Sequence, residues 1–141
     1  MGLAIDTFQN ILRENKCSLT SVRVSVYKLL VGKEPMSMHE LVAAAQDIDR
    51  ASIYRTVDLF ERLGIIQRIN IGWKYKLELT DRFSDHHHHL SCTKCSKTVA
   101  MNEDELEVFI DQIARAHGFQ PSAHQIEVQG LCNTCQTVTD S

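Results

Sequence analysis

The chain has 141 residues, 43% hydrophobic and 23% charged, with a formal net charge of −3, which is globular material sufficient for one medium domain or two small ones. No run approaches the roughly 20 apolar residues of a membrane span, and the start MGLAIDTFQN lacks the basic end and apolar core of a signal peptide. A cytoplasmic protein with no membrane partner is expected.

The charge divides unevenly. Residues 1–83 hold 12 Lys+Arg against 10 Asp+Glu, and residues 84–141 hold 3 against 8. A mildly positive first part is compatible with nucleic acid without indicating it.

Taken in order, Ala4 to Asn15 sets Ile5, Phe8, Ile11 and Leu12 at amphipathic-helix spacing. A second helix is predicted after Leu19, capped by Thr20 or Ser21, with Val22, Val26, Leu29 and Leu30 inward until Gly32. Pro35 punctuates, and Ser37-Met38-His39-Glu40 matches a capping box opening a third helix to about Gln46. Asp49 can cap a fourth helix with a buried stripe of Ile53, Val57, Phe60 and Leu63, stopped by Gly64. Ile65 to Ile71 and Lys74 to Thr80 then alternate as two strands around Asn70-Ile71-Gly72, a β-hairpin with Gly72 near its turn. Helices ending in a hairpin describe a winged helix, in which the helix before the wing enters the major groove of DNA. On the outer face of that helix the spacing puts Arg50, Ser52, Tyr54, Arg55 and Thr56, able to reach phosphates and base edges. Such residues on one helix are usually only a solvated face; the helix-hairpin order is what favours DNA.

The chemistry lies further on. Cys92-x-x-Cys95 and Cys132-x-x-Cys135 each offer two thiolates from one turn, and two such pairs close a tetrahedral structural zinc site with no open position for catalysis. In a reducing compartment a disulfide framework is disfavoured, and Cys17 reads as a partly buried thiol. Just ahead stands SDHHHHLSC. Its internal position, leading into a ligand pair, argues against a purification tag. Read as a strand from His86 to Cys92, the run points His86 and His88 to one face and His87 and His89 to the other. A helix from the Asn102-Glu103-Asp104-Glu105 capping segment to His117-Gly118 is predicted to turn Leu106, Phe109, Ile110 and Ile113 inward, with Glu107 in its first turns. His124 precedes a strand, Gln125 to Gln129, and Glu78 ends the wing. Each of these three also has a plain reading, as helix-dipole, loop or surface residue. His39 and His117 read as solvated or structural. A mixed His and carboxylate set suits zinc, iron, manganese or nickel alike.

The segments ASIYRTVDLFERLGII, LELT, DHHHHLSCTKC, ELEVFIDQIARAHGF and HQIEVQGLCNTC together resemble the ferric uptake regulator family of bacterial metal-dependent transcriptional repressors, over about Thr20 to Cys135. The resemblance implies an α+β protein: a winged-helix DNA-binding domain over 1–83, then a small α/β dimerisation domain over 84–141 with a four-cysteine zinc site. It implies a homodimer on double-stranded operator DNA that controls metal-uptake genes, with no small-molecule substrate and no enzymatic activity. Cys92, Cys95, Cys132 and Cys135 match its structural zinc ligands. Glu78, His87 and His89 match its regulatory metal site, and His86, Glu107 and His124 a second site, with His88 where iron regulators often carry Asp. Tyr54 and Arg55 match its DNA-contacting residues. The implied cofactors are Zn2+ and a second divalent metal, Fe2+ or Zn2+, with Mn2+ also suited. Two departures bear on the metal. Where iron regulators take a further ligand from a histidine before the third helix, the aligned position is near Pro35, with His39 four residues on; Ala100 stands where peroxide sensors use aspartate, which disfavours that function. A zinc-stabilised interaction protein that never touches DNA is the alternative; a metalloenzyme is opposed by the lack of an H-E-x-x-H or nucleophile constellation.

Overall fold

A computed structural model describes residues 2–137, which divide into two compact units between Asp85 and His86. No described helix is long and apolar enough to cross a membrane.

The first unit runs α1 (Gly2–Glu14), α2 (Ser21–Leu30), α3 (Met38–Ala44), α4 (Arg50–Arg62), β1 (Ile66–Ile71) and β2 (Lys74–Leu79). The helix starts are those the capping residues dictate. Thr20 accepts from Arg23 N, Ser37 from Glu40 N and Asp49 from Ser52 N, each satisfying a donor the first turn leaves unpaired. Their apolar stripes meet in one core: Phe8 stacks on Tyr27 at 4.3 Å and meets Phe60 edge-on at 5.5 Å, and Leu41, Ile53, Ile65 and Leu77 are fully buried around them. Leu63, predicted to belong to the stripe, is only partly buried. β1 and β2 pair antiparallel from Ile66↔Leu79 to Ile71↔Lys74. Asn70 and Ile71 are therefore strand, and the turn is Gly72-Trp73, with Gly72 in it as the sequence indicates. Met36 adds a bridge to Leu77, so the segment after Pro35 braces the wing.

The second unit runs β3 (His88–Cys92), β4 (Thr98–Met101), α5 (Asp104–Ala116), β5 (Glu127–Gly130) and α6 (Asn133–Gln136). The strand order is β4-β3-β5, with β4 antiparallel and β5 parallel to β3. The expected strand from His86 begins at His88. Sequence reasoning missed β4, a run of only four residues, and the single turn α6. The inward stripe expected for α5 is corrected: the helix has no buried residue, and Phe109 and Ile113 are exposed. The physical reason is that α5 does not pack closely on the strands of its own unit, so no apolar surface there covers it. A row Val99, Leu90, Val128 crosses the sheet through paired positions and is likewise exposed.

Candidate metal centres and nucleic-acid interface

The cysteines are delivered by two turns. Cys92 closes β3, and Ser96, at φ 67°, bends the backbone so that Cys95 returns toward it, Cys95 N–H donating to Cys92 Sγ at 3.5 Å. Cys132 caps α6 and Cys135 lies within it. The parallel register of β3 and β5 carries the two turns together, so that the four sulfur atoms lie within 4.8 Å of one another and Cys95 Sγ is 3.7 Å from Cys132 Sγ. Four thiolates about 2.3 Å from one zinc stand about 3.8 Å apart along a tetrahedral edge, so this donor set fits the ion. The electrostatics agree. Backbone donors from Cys95 and Cys132 take the Cys92 thiol down to about 5, backbone donation from Cys135 lowers Cys132, and burial followed by the neighbouring sulfurs pushes Cys135 up to about 12. Four sulfurs packed together cannot all ionise without a cation among them.

At the other end of β3 a second cluster forms. His86, His88, Glu107 and His124 place one ligand atom each within 4.8 Å of the others. Glu107 is the hub: Oε1 lies 2.5 Å from His88 Nε2 and 3.4 Å from His86 Nε2, and Oε2 lies 2.6 Å from His124 Nε2. His86 and His124 approach at 3.1 Å through their Nε2 atoms. His88 is 1% exposed, and its Nδ1 accepts from Ile126 N–H at 3.3 Å, which leaves Nε2 to donate to Glu107. Burial raises the Glu107 carboxyl, but the His88 hydrogen bond and the charges of His124, His86 and His88 outweigh it and hold the group below its ordinary range. Three imidazoles and a carboxylate converging on one point suit a divalent transition metal. No sequence signal announces Ile126, because its contribution is a backbone N–H.

His87 and His89 turn to each other, ring centroids 4.8 Å apart, as alternation along the run requires. Glu78 sits on β2 opposite Gln67, whose amide donates to it at 2.8 Å. His39 is exposed in the first turn of α3 and His117 is exposed at the end of α5.

On α4, Arg50, Tyr54 and Arg55 are exposed and Ser52 half-buried. Arg50 lies 5.5 Å from the Tyr54 ring, and Ser52 links Asp49 to Arg55, donating at 2.7 Å and accepting at 3.2 Å. Thr56 is corrected: it is buried, its hydroxyl donating to Ser52 O at 2.8 Å, so it belongs to the helix's inner side. A cavity of about 440 Å³ between α2 and α4 adds Thr20, Arg23 and Arg62 beside Arg55. Reading α4 alone missed these basic neighbours; the T-x-x-R spacing of the α2 cap was the available signal.

A sequence profile of the ferric uptake regulator family matches residues 14–129. The ferric uptake regulation proteins of Neisseria meningitidis serogroup A and Escherichia coli K12 are each 29% identical to this chain, the first over 94% of this chain and 96% of the relative, the second over 86% and 85%. Among solved structures, the Helicobacter pylori ferric uptake regulator is similar with a TM-score of 0.80 at 17% identity, covering 94% of this chain and 91% of that one. A zinc-bound manganese uptake regulator is similar with a TM-score of 0.65 at 28% identity, covering 89% and 98%.

Proposed function

The chain belongs to the ferric uptake regulator family, and from that premise we propose that it is a transcriptional repressor that binds operator DNA as a homodimer when its regulatory metal site is filled, controlling metal-uptake genes. The observation that carries the reading of a metal-binding protein with more than a structural zinc is the convergence of His86, His88 and His124 on Glu107, a donor set apart from the cysteines. Zinc held by Cys92, Cys95, Cys132 and Cys135 would supply folding energy and no reactivity. Glu78, His87 and His89 are proposed as the regulatory ligands on the resemblance and on strand alternation. A ligand bound more tightly by one arrangement of the protein shifts the population toward it, and for a dimer that arrangement is the one matching two half-sites. Arg50, Ser52, Tyr54 and Arg55 are the proposed DNA contacts. Support for the homodimer comes from the apolar side chains the second unit leaves in solvent, Leu90, Val99, Val108, Phe109, Ile113 and Val128, too many for a monomer to leave uncovered.

The effector is iron(II) or zinc, with manganese suited to the same donors. Metal analysis of chain purified without added metal, then operator binding and oligomeric state across an iron, zinc and manganese series, tests this reading. His88→Ala should lose the same metal as Glu107→Ala and His124→Ala. His87→Ala should keep that metal yet lose the metal-stimulated DNA binding. Identical stoichiometry and response for His87→Ala and His88→Ala would show one shared site in place of two.

A further inference from the structure

The loop between β1 and β2 is two residues long, Gly72-Trp73, closed by the Ile71↔Lys74 pair. Gly72 has φ 63°, the positive value a type II′ hairpin turn needs at its first position. Nothing in that turn calls for an apolar residue second. Yet Trp73 stands there 89% exposed, and it is the chain's single tryptophan. An indole left in water adds nothing to the core, whereas tryptophan is enriched among residues that dominate binding interfaces.

Its surroundings indicate the partner. Lys74 Nζ lies 5.1 Å from the indole centroid, so an ammonium and an aromatic face are presented together. Lys76 adds positive charge along β2, against Glu78 near the strand's far end, while the charge of Arg68 is met by Glu61. The hairpin is also fastened to α4: Arg68 donates to both carboxylate oxygens of Glu61 at 2.8 Å and lies 4.2 Å over the Tyr75 ring. Bidentate pairing of this kind fixes orientation, so the tip moves with the proposed reading helix. A flat apolar group beside a cation, on a narrow protrusion, suits a minor groove about 6 Å wide with sugar walls and phosphate rims.

We propose that Trp73 and Lys74 form a second DNA contact, in the minor groove flanking the bases read by α4, with the indole against the deoxyribose walls and the ammonium on a phosphate. This rests on the operator reading above and extends it to the wing.

The lone tryptophan makes the test direct. Metal-loaded protein is titrated with a duplex recovered by selection from a random-sequence pool, following indole emission and its quenching by acrylamide. Duplex should quench the emission and shield the indole severalfold, while metal alone changes neither. Trp73→Ala should bind the full duplex on the order of tenfold more weakly, the scale of one aromatic contact with nucleic acid, at an unchanged melting temperature. Trimming the outer flanks should cost the wild type the same factor and Trp73→Ala nothing more, whereas Arg55→Ala should lose affinity for full and trimmed duplexes alike. Tight duplex binding with an indole as accessible as in free protein overturns the wing contact and leaves the operator reading intact. No binding by the wild type to any selected duplex across the metal series overturns the operator reading and the wing contact together.

Discussion

The residues before His86 and those after it solve the problem of staying folded in different materials. The first unit encloses Phe8, Leu12, Leu41, Ile53, Phe60, Ile65 and Leu77 almost completely, and burying such side chains contributes about 1.5–3 kcal/mol each. Among its described residues the second unit encloses no large hydrocarbon side chain; what it buries includes His88, Ser91, Cys92 and Cys135. Its interior consists of donor atoms. The lesson is that one chain can place a hydrocarbon core and a coordination core side by side in sequence, and that each should fail to a different insult.

Removing metal gives the largest expected effect. Chelation that strips the second unit of every ion should abolish amide protection across β3, β4 and β5 while α2 and α4 keep theirs, because in so small a unit metal binding energy is folding energy. Cys95→Ser, which disables the cysteine cluster alone, should lower that protection in part. Hydrogen exchange read by mass spectrometry checks both. Full protection surviving in those strands after chelation would mean that the comparison is drawn in the wrong place.

The converse insult is smaller and lands on the other side. Phe60→Ala empties a fully buried site against Phe8 and should destabilise the first unit by about 3–5 kcal/mol with zinc content unchanged. Denaturant unfolding paired with metal analysis reads both; a loss of zinc at native-like conditions would tie the two cores together.

The smallest effect sharpens the picture at one helix end. The side-chain and then backbone hydrogen bonds from Ser52 hold the Asp49 carboxyl below its ordinary 3.8. A depressed carboxylate stabilises the fold fully above its unfolded value, and the contribution fades as pH falls through the folded one. Asp49→Ala should therefore lower the denaturation midpoint near neutral pH and approach the wild type in acid. A difference that grew on acidification would contradict the cap.

The same contrast governs how much could be read in advance. In the first unit the period of apolar residues and the caps Thr20, Ser37 and Asp49 announce every helix, because local hydrogen bonding and burial act in the same register. Even there Thr56 escaped, since a threonine that returns its hydroxyl to Ser52 O can be buried where its polarity suggests otherwise. In the second unit the ligand types and the alternation of His86 and His88 were legible, and their meeting with Glu107 and His124 rests on a parallel register that no local pattern encodes. Phe109 and Ile113 were misplaced for a related reason: periodicity reveals that a helix has an apolar face and says nothing of whether its own chain supplies the cover.

The parallel pairing of β3 and β5 has one more consequence. His88 opens β3 and Cys92 ends it, while His124 lies just before β5 and Cys132 just after, so the two donor clusters bolt the same pair of strands at opposite ends. The long excursion through β4 and α5 is thereby a ring with two clasps. Opening one clasp leaves the ring closed by the other, and the entropy regained by the chain grows only with the logarithm of its length; opening both releases it whole. Metal loss from this half of the molecule should therefore be sparing at first and abrupt at the second ion.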